Sequence, residues 1–262
     1  MRNPSRRNRN IGTNKQGHGQ NNRMVIPEPF YDQKIFWERL GKHRHFDMEI
    51  GGANYFFLVE ETLENHAHAC TVEDLMRMIS FLPTEHLEGL EYIVLRQPTK
   101  KEQLLNPVWG RLAYFYGYEG HHAPAIILEA VDYSKTLVRG RKMRVEDQEE
   151  FQRLVDDGHE FTAHKRKFEA PFELNHVRNT QLYRTFLHEV GHYYQYLQFL
   201  DKEDGMETYE RLGLEEKEKF AHTYAEKIGE KLRENEDLPF ERILTRRFLE
   251  IFGLREADFV LE

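Results

Sequence analysis

Leu187-His188-Glu189-Val190-Gly191-His192 is the stretch from which the rest of this chain is read. On a helix His188 and His192 are four positions apart and share one face, with Glu189 beside them. Two imidazoles so placed can each give a nitrogen at about 2 Å to one tetrahedral zinc ion, and the neighbouring carboxylate reaches the fourth, water-filled position as a base. The surroundings read as helix. Leu182, Phe186, Val190, Tyr194 and Leu197 recur every three or four positions between Thr180 and Leu200, an amphipathic stripe. At about 100° per residue His188 lies roughly 200° round from Phe186 and Val190, so the ligand face turns away from the core face. Gly191 costs about 1 kcal/mol against Ala inside a helix and is expected to let a strand or a substrate approach the metal.

A catalytic zinc takes three protein ligands, so a third is needed. Glu215 to Leu232 reads as a second helix, with Phe220, Ala221, Tyr224, Ala225 and Ile228 as its apolar stripe. Glu218 and, one turn further on the same face, His222 can each complete the site; Glu215, Glu216 and Glu226 are further carboxylates on that helix. In such a site Glu189 serves as general base, and a phenol or imidazole is expected to stabilise the developing oxyanion. Tyr224, His222, Tyr193 and Tyr183 are the candidates, and Tyr224 is taken as the catalytic one.

Composition sets the outer bounds. With 262 residues, 39% hydrophobic and 13% aromatic, the chain can build a core the size of one large domain. A single cysteine, Cys70, excludes an internal disulfide framework, and no apolar run suits a signal peptide or a membrane span, so a cytoplasmic protein is expected. Residues 1–23 carry Arg2, Arg6, Arg7, Arg9, Lys15 and Arg23 and no acid. That tail is near +6, which leaves about −14 for the remainder. Poor in large apolar residues, the tail is expected to be disordered. A basic tail is a weak nucleic-acid tether at most, and the acidic remainder argues against nucleic acid as the main ligand.

The ordered chain is expected from residue 24 to 262. Tyr31 to Leu40 reads as a short helix stopped by Gly41, and Asn54 to Val59 as β-prone. Thr71-Val72-Glu73-Asp74 reads as a capping box opening a helix that runs to Phe81 before Pro83. Strands are expected at Glu91–Leu95, Arg111–Tyr116 and Ala125–Val131. Tyr114, Tyr116 and Tyr118 alternate to one face, either packed or turned to solvent on an edge strand able to pair with an extended peptide. The charged segment 135–178 is too long for an ordinary connection and reads as an inserted helical hairpin or a lid. Its His159, His164 and His176 lack ligand spacing, as do His121 and His122. Residues 235–262 form a C-terminal helical extension.

Taken in order, Leu82-Pro83 with His86, Leu87 and Gly89, the strands, Phe186 to Tyr193 and Glu218-x-x-Ala221 resemble small gluzincin-type metallopeptidases, including the ImmA/IrrE group, over roughly residues 72–232. The resemblance implies an α+β, zincin-like fold: a small mixed sheet packed on a metal-binding helix and a second ligand-bearing helix. It implies Zn2+ held by His188, His192 and Glu218, Glu189 as general base, and a peptide or protein substrate. The chain departs from that family at His222, where Asn or Asp is usual, and in the long insertion. Two other readings are a zinc-binding regulatory or peptide-binding module without turnover, and a structural protein acting through its tail.

Overall fold

A computed structural model describes residues 36–105, 107–200 and 202–261. The basic segment 1–23 and the first half of the expected Tyr31–Leu40 helix lie outside the described residues; in its second half Phe36–Glu38 form one 3-10 turn. In chain order the elements are β1 (His43–Ile50), β2 (Ala53–Glu60), β3 (His66–Ala67), α1 (Val72–Phe81), β4 (Tyr92–Arg96), α2 (Lys100–Leu105), β5 (Gly110–Tyr118) and β6 (His121–Glu129). There follow β7 (Val131–Asp132), β8 (Thr136–Gly140), α3 (Val145–Asp156), β9 (Thr162–Ala163), β10 (Lys167–Pro171) and α4 (Leu174–Asn179). A π-helical segment, Thr180–Thr185, leads into α5 (Phe186–Leu200), and α6 (Gly205–Arg211), α7 (Leu214–Glu234) and α8 (Arg246–Phe252) complete the chain.

The class is mixed α+β. A five-stranded sheet runs β1-β2-β4-β6-β5, antiparallel at both outer pairs and parallel at the two inner ones. Alternation along the inner strands sends Phe57, Val59, Ile93, Leu95, Ile126 and Leu128 to a core shared with α1 and α5. It sends Leu58, Tyr92, Val94, Ala125 and Ile127 to the opposite face, under Trp37 and Leu40. Burial on both faces is why these strands read as continuous apolar runs.

Helix α1 begins as the sequence predicts. The Thr71 hydroxyl accepts from the Asp74 N–H, and the Asp74 carboxylate accepts from the Thr71 N–H. Asp74 also accepts from Nε and Nη2 of Arg178, each at 2.9 Å, and from the Ile243 N–H. One buried carboxylate thus joins α1, the approach to α5 and the C-terminal segment.

The tyrosines of β5 do not share a face. Ala113 pairs with Ala125 and Tyr116 with Ala123, so two residues stand opposite the single Pro124. Tyr114 shares the α5 side with Leu112 by ordinary alternation, while the β-bulge turns Tyr116 and Tyr118 into the opposite core, and none of the three is a solvent-side row. The insertion is not a helical hairpin either. It carries α3 on a three-stranded sheet, β8-β10-β9, around Leu137, Leu154 and Ala170. The C-terminal extension has only α8 and a short 3-10 turn; it folds back so that Phe252 meets Phe46, with ring centroids 4.3 Å apart.

Candidate metal centre

Helices α5 and α7 pack side by side, and the residue that permits it is Gly191. A Cβ there would stand 3.0 Å from the Ala221 Cα and carbonyl oxygen and 3.1 Å from the Tyr224 Cβ. The sequence reading gave this space to a strand or substrate; the neighbouring helix fills it. Close packing is also what brings Glu218, one turn before Ala221 and His222, up to the histidines of α5.

His188 Nε2 and His192 Nε2 are 3.0 Å apart. The Glu218 carboxylate lies 3.3 Å from the first through Oε2 and 3.5 Å from the second through Oε1. Ligands at about 2.05 Å from a tetrahedral ion are separated by about 3.3 Å, so the three nitrogen and oxygen positions fit the edges of such a tetrahedron. Among the described residues this is the group of His, Cys, Asp and Glu side chains close enough to hold a metal ion. The histidine side chains are 15% and 13% exposed and Glu218 43%, so the group opens to solvent on the Glu218 side. The adjacent imidazoles hold the Glu218 carboxyl well below the usual carboxylate range.

Glu189 has the opposite environment. Burial raises its pKa, against the lowering influence of His188, His192 and a hydrogen bond from the Leu112 backbone N–H of β5. A carboxyl so placed can exchange a proton with a group bound beside the two histidines.

His222 is not part of the ligand trio. Its ring lies 4.4 Å from that of His188, and burial, with His188 and Arg153 next to it, pushes it down to about 4. It is therefore a neutral imidazole at pH 7. The His188 Nδ1 atom is buried with no hydrogen-bond partner among the described residues.

Tyr224 is not brought to the metal group. It is buried against α5, and its hydroxyl pairs with His86 Nδ1 at 2.8 Å. Tyr183 donates to the Phe240 carbonyl and Tyr193 to the Glu88 carbonyl. The other histidines of the insertion are engaged locally: His159 with Thr180, His164 with Glu169 and His176 with Glu173. His121 opens β6 and pairs with Glu91.

Three features of the site escaped the sequence. They are the Leu112 N–H on Glu189, the Tyr114–Tyr209 hydroxyl pair at 2.5 Å, and the tie from Arg184 to the insertion. Arg184, one turn before His188, holds Glu150 of α3 at 2.9 Å and Asp157 at 2.8 Å. Pro124 opposite an aromatic strand was the one available hint of the bulge, since sheets accept proline at such irregularities. A separate cavity of about 360 Å3, between residues 98–111 and 129–139, contains none of the ligand trio. No family model matches the chain, and no curated protein or solved structure matches it either.

Proposed function

We propose that the chain is a zinc-dependent peptidase of gluzincin type with a zincin-like fold, in which His188, His192 and Glu218 hold the ion and Glu189 is the general base. The observation that carries this reading is the near-tetrahedral spacing of the three ligand atoms, with the carboxyl of Glu189 next to them. The donor set, two imidazoles and a carboxylate, suits zinc. Zinc bound there would lower the pKa of a water towards 7 and polarise a peptide carbonyl. Glu189 takes the water's proton as it attacks and passes it to the leaving amine when the C–N bond breaks. The Leu112 N–H keeps that carboxylate in place between the two transfers.

The antiparallel outer strand β5 supports a peptide substrate. It is the edge of the sheet next to α5, with one edge N–H already at Glu189, and an extended peptide can pair along such an edge. Among the described residues no helix is long and apolar enough to cross a membrane. A reducing, cytoplasmic setting suits a chain whose single cysteine is buried and unpaired.

The test is hydrolysis of fluorescein-labelled casein by zinc-loaded protein beside Glu189→Gln. The reading expects turnover in the parent and a loss of a hundredfold or more in the variant at unchanged zinc content. Equal cleavage by both would refute the assignment of Glu189. Zinc binding without turnover in the parent would favour a regulatory or peptide-binding module built on the same site.

A further inference from the structure

A tetrahedral intermediate needs a hydrogen-bond donor for its oxyanion, and the three tyrosines that the sequence offers have their hydroxyls committed elsewhere. Tyr183 and Tyr193 donate to backbone carbonyls, and Tyr224 is bound to His86. Strand β5 brings a phenol from another direction. Its Leu112 N–H interacts with Glu189, and the strand packs on α5 beside the base. Tyr114 follows Leu112 by ordinary alternation to the α5 side. The extra residue opposite Pro124 then turns Tyr116 and Tyr118 to the opposite face, so Tyr114 is the one tyrosine of the strand that meets α5.

Tyr114 then packs on Tyr196 of α5, ring centroids 4.8 Å apart, and its hydroxyl meets that of Tyr209 at 2.5 Å. Tyr209 comes from α6, ahead of the ligand-bearing α7; its ring lies against Tyr196 and Phe199 and carries the Lys217 ammonium 4.1 Å above it. Two hydroxyls sharing one hydrogen bond retain one O–H to give away. The charges of both carboxylates of the site reach the pair. Glu189 is among the charges that hold the Tyr114 proton in place, and Glu218 among those that hold the Tyr209 proton. Burial is the larger cause in both, so the phenols stay protonated and act as donors.

We propose that the Tyr114–Tyr209 hydroxyl pair is the donor that stabilises the oxygen on which negative charge develops as the substrate carbonyl becomes tetrahedral. The assignment rests on the peptidase reading above. The aromatic surroundings favour it, because a donor held by Tyr196 and Phe199 in a water-poor setting needs little reorganisation and interacts more strongly than in water. The bulge keeps Tyr114 apart from Tyr116 and Tyr118, which it turns into the opposite core.

The experiment uses the full chain loaded with cobalt, titrated with inorganic phosphate as a tetrahedral oxyanion and followed by the visible cobalt spectrum. Tyr114→Phe, Tyr209→Phe and, as a control from the same ring cluster, Tyr196→Phe are compared, with casein hydrolysis measured on the zinc forms. The expected result is unchanged cobalt stoichiometry in all, with phosphate bound at least tenfold more weakly by Tyr114→Phe and Tyr209→Phe. In those two kcat on casein falls about a hundredfold or more at unchanged KM, while Tyr196→Phe stays within twofold. Phosphate affinity and kcat equal to the parent in either hydroxyl variant overturn the proposal, as does a cobalt-loaded parent that binds no phosphate. If Tyr114→Phe lacks a cooperative melt, Tyr209→Phe decides alone. A parent without casein hydrolysis but with tyrosine-dependent phosphate binding removes the peptidase reading and the substrate named here, leaving the pair as an oxyanion donor for another reaction.

Discussion

The Cα of Gly191 faces the backbone of Ala221 so closely that a methyl group on the glycine would stand 3.0 Å from the Ala221 carbonyl oxygen. The contact lies one position from His192 and three from Glu218, so the separation of α5 and α7 also sets the ligand spacing. Gly191→Ala gains about 1 kcal/mol of helix propensity but overpacks a backbone contact, at a cost of about 1–3 kcal/mol. We expect a net fall of a few degrees in Tm and a weakening of zinc binding by tenfold or more, read by calorimetry. Unchanged affinity would mean that the helices part without moving Glu218.

Asp74 and Arg178 form a buried ion pair that also satisfies the Thr71 and Ile243 N–H groups. Removing one partner leaves a buried charge and exposed donors without acceptors, which costs about 3–5 kcal/mol. Asp74→Ala should therefore lower the urea midpoint markedly in both apo and zinc-loaded protein. A midpoint within experimental error of the parent would contradict the role given to this carboxylate.

His159 is buried, and burial pushes it down to about 4 from an ordinary value of 6.5; His176, Arg184 and Arg139 add to the effect. His68 is shifted in the same direction by burial. The folded form keeps His159 neutral where the unfolded chain takes up a proton, so its contribution is fully present above pH 6.5. It is lost as the pH falls towards 4, on the order of 3 kcal/mol for His159. Stability measured by urea across that window should fall with acid, and His159→Gln should flatten the slope.

Arg184 is the tie between the insertion and the approach to α5, through Glu150 and Asp157. Arg184→Met should accelerate hydrogen exchange in α3 severalfold while α1 and the inner sheet strands keep their protection. If α3 exchanges as slowly as before, the insertion is held by its apolar contacts alone.

Much of this was legible in the sequence because local signals and tertiary structure agreed. The capping box at Thr71 and Asp74, the apolar runs of β4 and β6, and the helical spacing around His188 and Glu218 each describe what they form. Strand β1 was missed because it is an edge strand: His43, Arg44, His45, Asp47 and Glu49 give it the charge that keeps an edge from pairing with another chain. The sheet of the insertion rests on strands as short as two residues, below any periodicity. The divergence of Tyr116 and Tyr118 from Tyr114 depended on one unpaired residue in a register, and the orientation of Tyr224 on a partner 138 positions away, His86. A sequence read in single-strand or single-helix windows contains neither.

The central claim is that α5 and α7 together make a three-ligand zinc site. Elemental analysis of the purified chain beside His188→Ala, Glu218→Ala and His222→Ala, each reconstituted with zinc and desalted, tests it most directly. The account predicts one equivalent of zinc in the parent, clear loss in His188→Ala and Glu218→Ala, and one equivalent at saturation in His222→Ala. Full zinc in Glu218→Ala, or none in the reconstituted parent, would contradict it.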